Sequence, residues 1–369
     1  MRSVVTALIA CLLAHSVCVA EQPLGLPPLR IPEKEPLTSE RVALGEMLFK
    51  DTRFSADGTI ACSSCHLPGK LFSDGLPRAR GIQDIEGTRN VPSLINVAFY
   101  DTFFLDGRAA SLEEQVLGPL TNPIEHGLND LKAVLTVIRK DERYPGQFQK
   151  AFGVAPAEIS TDHFVRAITS FERTLVSGDS PFDRYFFGGD KTVLSESAAR
   201  GLELFRMKGN CANCHEIVWK SATFTDNRFY NLGVGFERIE SDLPRFVDAY
   251  WAARDAGQEF NDTIYTEAPR SELGRFNVTH TVSDIGRFKT PGLRNVALTA
   301  PYMHDGSQKT LMEVVEYYDK GGYPNPLLDA AIFPLNLAEQ EKKDLVAFME
   351  ALTSPQYASA GSGTEPAKH

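Results

Sequence analysis

Six stretches of the chain place apolar residues at i, i+3 and i+4 after a polar start. They are LTSERVALGEMLF (37–49), LNDLKAVLTVIRK (128–140), DHFVRAITSFERTL (162–175), LSESAARGLELF (194–205), SQKTLMEVVEYYD (307–319) and LAEQEKKDLVAFMEALT (337–353). That spacing draws one apolar stripe along a helix of 3.6 residues per turn, and the polar openings can cap it. Proline and glycine clusters separate the stretches. Strand patterns are short and scattered, so the expectation is a mainly α fold with few strands and long loops. Residues 226–288 read as a loop-rich insertion. The tail from 356 to 369, ending ASAGSGTEPAKH, reads as disordered.

The pattern also repeats. ALGEMLF (43–49) has a counterpart in RGLELF (200–205), and LFSD (71–74) in TFTD (223–226). The run VPSLINVAFYDTFFLDGRAASLEEQV (91–116) matches TPGLRNVALTAPYMHDGSQKTLMEVV (290–315) without a gap. With Asn96 and Asn295 taken as equivalent, each half has Asp-Gly ten residues on and leucine sixteen on, at Leu112 and Leu311. The period is far longer than that of a solenoid repeat. The expectation is two tandem domains, 21–185 and 186–355.

Composition narrows the class. The 369 residues are 43% hydrophobic and 23% charged, enough for about two buried cores. The formal charge is −10, which argues against nucleic acid as a partner and mildly favours basic ones. Met1-Arg2 precedes the apolar run VVTALIACLLA, and small residues follow as far as Ala20. Residues 1–20 therefore read as a signal peptide, and the mature chain as an exported, periplasmic protein that is not integral to the membrane. Cys11 and Cys18 fall inside that segment, which leaves Cys62, Cys65, Cys211 and Cys214.

Those four sit in two Cys-x-x-Cys-His motifs, ending at His66 and His215. Two thiols at this spacing can reach both vinyl groups of one haem while the histidine presents its imidazole to the iron, the pattern of c-type attachment. A shared zinc site would want the motifs close in sequence, and they lie about 150 residues apart. A thioredoxin-like pair would want a strand–helix setting, and two local disulfides are the third competing reading. Two covalent haems are the expectation, with His66 and His215 as proximal ligands.

The internal match also shows that the halves differ. Twenty-three residues past the anchor asparagine stands Pro119 in the first half and Tyr318 in the second. Twenty-nine past stand Glu125 and Pro324, and nineteen past stand Gln115 and Val314. No histidine lies between residues 67 and 125. Haem 1 therefore reads as the open, reactive site and haem 2 as closed by a second axial ligand. Tyr317, Met303 and Met312 compete with Tyr318 for that position, and His126 competes with Glu125 as proton carrier. His163, His280 and His304 read as structural or surface residues.

Taken together, the two haem motifs, DGRAASLEEQVLGPLTNPIE, RFKTPGLRNVALTAPYMHDG, EVVEYYDKGG and LVAFMEALT resemble the bacterial di-haem cytochrome c peroxidases, and most closely their MauG-like branch. The resemblance spans essentially the whole mature chain. It implies that Glu125 is the distal acid, with Gln115 and Pro119 in the same pocket, and that hydrogen peroxide is the substrate. It implies one calcium ion between the haems, held by the Asn90 side chain and the carbonyls of Thr299 and Pro301. It implies Tyr318 as the second haem's distal ligand, where ordinary peroxidases carry methionine. Two places depart from the pattern. Leu105 stands where the family has a tryptophan between the haems, with Phe103, Phe104 or Tyr100 as possible substitutes. Gly209 stands where the MauG-like branch has a tryptophan before its second motif, and Trp219 is not its match.

The expected function is a periplasmic peroxidase that reduces peroxide at haem 1 and shares the resulting high-valent state with haem 2 to oxidise a protein or small donor. The alternatives are a conventional cytochrome c peroxidase fed by a small cytochrome or cupredoxin, with Met303 or Met312 at haem 2, and a di-haem electron carrier without catalysis.

Overall fold

Capping side chains fix where most helices begin. Thr38 accepts from the Arg41 amide at 3.3 Å and opens α1, Ser39–Phe49. The first haem motif forms the short α2, Cys62–Cys65. Ser111 accepts from Glu114 at 3.0 Å and opens α3, Leu112–Thr121. The helices α4 (Lys132–Lys140), α5 (Arg143–Phe152) and α6 (Thr161–Glu172) follow, the last capped by Ser160. Ser180 caps α7, Pro181–Phe186, and Ser195 caps α8, Glu196–Arg206. One small antiparallel sheet pairs β1, Phe229–Asn231, with β2, Arg287–Lys289, and sets Tyr230 opposite Phe288. Between its strands lie α9 (Leu243–Asp255) and α10 (Phe276–Thr279). Finally come α11, Leu311–Asp319, and α12, Glu339–Glu350. Each of the six apolar stretches holds a helix. The computed structural model describes residues 22–32, 35–257 and 267–358. The expected signal peptide and the tail beyond 358 lie outside the described residues.

The duplication is visible in the packing. α1 lies against α6, and α8 against α12. Each pair meets at a glycine: a Cβ on Gly45 would overlap the carbonyl oxygen of Ala167, and one on Gly201 that of Asp344. Phe49, Phe54 and Phe164 are among the residues that fill the first core, and Phe182, Phe205, Phe224 and Phe348 the second. The anchor asparagines are buried and both left-handed, with φ of 65° at Asn96 and 59° at Asn295. Asn96 exchanges two hydrogen bonds with the Ser177 backbone at 2.8 and 2.9 Å. Asn295 accepts from the Ser354 amide at 2.8 Å and donates to Ser177 Oγ at 2.9 Å. The matching run thus folds the same way twice, down to positive φ at Phe104 and Met303 eight residues past each asparagine.

Two features differ from the sequence reading. The segment 226–288 is not merely loop: α9, α10 and the sheet enclose a third core of Phe236, Ile239, Phe246, Tyr250 and Phe276 among others. The proline and glycine spacing hid this, because its helices are interrupted and its apolar residues meet only after folding. The boundary at 185/186 also falls inside α7, whose Phe182 packs in the second core. Upstream, Gly25 accepts from the Ala222 amide and from Arg294, so the start of the described chain lies on the second half.

Candidate functional site

Each histidine of the two motifs is held the same way. His66 Nδ1 lies 2.9 Å from the carbonyl of Phe72, and His215 Nδ1 lies 2.9 Å from that of Phe224 and 3.1 Å from that of Pro291. A neutral imidazole that donates through Nδ1 keeps Nε2 for a metal. Burial lowers the pKa of both rings and keeps them neutral. Phe49 packs 6.5 Å from the His66 ring and Phe205 packs 6.3 Å from the His215 ring, as the duplication requires. None of the four motif cysteines is paired in a disulfide. Burial pushes Cys65 and Cys211 each up to about 12, with the Glu125 carboxylate adding to the effect on Cys65.

Around the second motif lies a cavity lined by Cys211, Cys214, His215 and one face of α11. That face carries Leu311, Val314, Val315 and Tyr318, at i, i+3, i+4 and i+7. Met312 points off it and is absent from the lining, whereas Met303 reaches the cavity from the preceding loop. The two neighbouring tyrosines differ. Tyr317 donates to the Leu232 carbonyl at 2.9 Å. The Tyr318 hydroxyl has no hydrogen-bond partner among the described residues, and burial holds its pKa well above the ordinary phenol range.

The first half places its candidates on α3 and the turn after it. Gln115 and Pro119 lie one turn apart on α3, and the proline leaves the Gln115 carbonyl without its helical N–H. Glu125 follows in a tight loop, where Asn122 Nδ2 donates to its Oε1 at 2.7 Å. The electrostatic pressure of Glu125 on Cys65 puts the carboxylate on the side of the first motif. His126 is buried, its Nδ1 is 2.9 Å from the Phe54 carbonyl, and desolvation lowers its pKa. His304 is also buried, bonded to Glu272 at 2.8 Å and stacked on Phe288 at 3.7 Å.

Asn90, Thr299 and Pro301 all line the second cavity, with the Asn90 amide bonded to the His304 carbonyl at 2.9 Å. Asn90 Nδ2 donates to the Leu76 carbonyl at 2.8 Å. Leu105 reaches the same cavity. Of the three aromatic residues near it, only Tyr100 does so. Phe103 is in the first core, and Phe104 lies against Gly118 beneath Arg108. Trp219 is 90% exposed, on a turn closed by Val218 and Ser221.

Two residues escaped the sequence reading. Glu172 is buried on α6, its Oε2 is unbonded, and desolvation raises it to about 8. Its place four residues after Ile168, on the apolar stripe, was the available signal. Lys289 is buried at the junction of the halves, and burial pulls it down to about 8.

Paired thiols, an imidazole with Nε2 free and a lined cavity suit a covalently attached haem. Two such motifs, set on a duplicated helical fold, define a di-haem c-type protein. Residues 39–192 match the family model described as "Di-haem cytochrome c peroxidase", and the chain belongs to this cytochrome c peroxidase and MauG family of haem-dependent oxidoreductases. It is 37% identical to cytochrome-c peroxidase IdrP1 of Pseudomonas sp. (strain SCT), over 90% of this chain and 86% of that one. It is 36% identical to methylamine utilization protein MauG of Methylorubrum extorquens, over 87% and 80%. Among solved structures, a MauG-like protein associated with microbial copper homeostasis superposes with a TM-score of 0.74 at 32% identity, covering 91% of this chain and 95% of that one. The carrier-without-catalysis alternative is therefore set aside. Among the described residues no helix is long and apolar enough to cross a membrane.

Proposed function

We propose that the chain is a periplasmic peroxidase of the MauG-like branch, in which haem 1 is the peroxide site and haem 2 is closed by Tyr318. The observation that carries this reading is the contrast on α11: Tyr317 is bonded to a backbone carbonyl, while Tyr318 brings an unpartnered hydroxyl to the cavity of the second motif. A phenol buried without a cation stays neutral; a ferric ion would supply the charge that lets it ionise and ligate. The haems, held by the two cysteine pairs and by His66 and His215, supply the redox chemistry on peroxide.

The chain's own residues do the rest. At haem 1 the Glu125 carboxyl takes a proton from peroxide and returns it to the leaving oxygen. Asn122, donating to Oε1, fixes the orientation of that carboxyl. Gln115 and Pro119 wall the pocket, and Pro119 offers no side-chain ligand to close it. Asn90 and the carbonyls of Thr299 and Pro301 form an all-oxygen set suited to calcium. The electrons come from a protein or small donor.

Met303 also reaches the second cavity, which keeps the conventional peroxidase as the second reading. One measurement separates them. The ferric protein should lack the weak near-infrared sulfur-to-iron band, and Tyr318→Phe should change the spectrum of one haem only. A sulfur band that disappears in Met303→Leu overturns the tyrosine assignment.

A further inference from the structure

The duplication carries one consequence across the junction of the halves. Asn90 stands six residues before Asn96, and Lys289 stands six before Asn295, so the two are internal counterparts. Their backbones make the same cross-connection. The Asn90 amide donates to His304 O at 2.9 Å, and the Lys289 amide donates to Leu105 O at 2.7 Å. His304 and Leu105 each lie nine residues past the anchor asparagine. The carbonyls assigned to calcium belong to Thr299 and Pro301, four and six residues past Asn295; four and six past Asn96 stand Tyr100 and Thr102. Lys289 Nζ donates to the Thr102 carbonyl at 2.6 Å and lies 4.1 Å from the centre of the Tyr100 ring.

Lys289 is 6% exposed and lines the cavity of the second motif, with no side-chain carboxylate of the described residues within ion-pair distance of it. Asp101 and Asp106 act on it only from farther away. The ammonium is held by a carbonyl dipole and an aromatic face, as a bound cation would be. We propose that the Lys289 ammonium is the built-in counterpart of the calcium: the duplicated fold has two equivalent cation positions between its halves, and Lys289 fills one of them covalently. The inference rests on the calcium assignment to Asn90, Thr299 and Pro301. It makes the junction unequal. The cation on the Tyr100 side cannot leave, whereas the cation on the Asn90 side can be removed by a chelator.

Replacing Lys289 by the residue of its counterpart should restore the symmetry. The holoprotein is dialysed against calcium-free buffer, and calcium is then counted by titration calorimetry and elemental analysis. The wild type is expected to bind one ion and Lys289→Asn two, with a calcium-dependent rise in the variant's thermal midpoint larger than that of the wild type. Lys289→Met removes the ammonium without offering an oxygen. It should bind one ion and melt several degrees below the wild type at saturating calcium. A Lys289→Asn protein that binds one ion overturns the inference and leaves the calcium assignment standing. A wild type that binds none removes that assignment and the inference with it. A Lys289→Met protein that melts with the wild type overturns the inference even if the asparagine variant does not fold.

Discussion

The hydroxyl of Ser177 meets the hydroxyl of Ser354 at 2.6 Å, fully buried, at the point where the two halves of the duplication join. Ser354 directs its proton to the Gly178 carbonyl at 2.6 Å, so Ser177 is the donor between them. Ser177 Oγ in turn accepts from Asn295 Nδ2 at 2.9 Å. The pair therefore couples the anchor asparagine of the second half to the linker that leaves the first.

Ser177→Ala should cost about 1–3 kcal/mol, because it leaves the buried Asn295 amide without its acceptor and the Ser354 oxygen without its donor. Thermal unfolding of the holoprotein measures this. A midpoint unchanged from wild type would show that water or a side-chain shift satisfies both groups.

Glu125→Gln should lower peroxide turnover by about 10²–10⁴-fold, the range of a lost general acid–base. Haem attachment should persist, since the amide oxygen can still accept from Asn122. Steady-state rates at saturating donor test it, and a variant within twofold of wild type sinks the acid role.

Glu172 gives the protein a pH signature. Its folded-state pKa is raised from 4.5 to about 8 by burial. The folded chain then holds a proton that the unfolded chain has released, so this group's stabilising contribution is full below about pH 4.5 and is lost as pH rises to about 8. Denaturant unfolding across that window should show Glu172→Gln losing less stability than the wild type. Parallel curves would mean that Arg173 keeps the carboxylate ionised throughout.

Gly201→Ala should separate α8 from α12, because its Cβ would occupy the place of the Asp344 carbonyl oxygen. Overpacking of this kind costs about 1–3 kcal/mol. A melting temperature equal to that of the wild type would show that α12 shifts without cost.

Much of this protein is legible in one dimension because its information is local. The six helices come from apolar spacing, which is set within one or two turns. The haem motifs are five-residue units whose chemistry needs only their own spacing. The duplication appears because a gapless run of residues kept its register, and that register also pairs Tyr318 with Pro119 and Asn90 with Lys289. The third core was not legible. Phe236, Phe246 and Phe276 lie on separate short elements and become a cluster only when the chain returns through β2.

The sequence by itself determined that the chain carries two Cys-x-x-Cys-His motifs, that it is duplicated, and which residue types stand at equivalent places. Tertiary structure decided which of two adjacent tyrosines is available. The hydroxyl of Tyr317 is taken by Leu232, a carbonyl 85 residues away in sequence, and no spacing rule can see that bond. It also decided that Tyr100, and neither Phe103 nor Phe104, reaches the second cavity, and that Lys289 ends on the Thr102 carbonyl across the junction. Attachment motifs depend on neighbours along the chain. The bonds from Tyr317 to Leu232 and from Lys289 to Thr102 join groups far apart in sequence, and only folding supplies those.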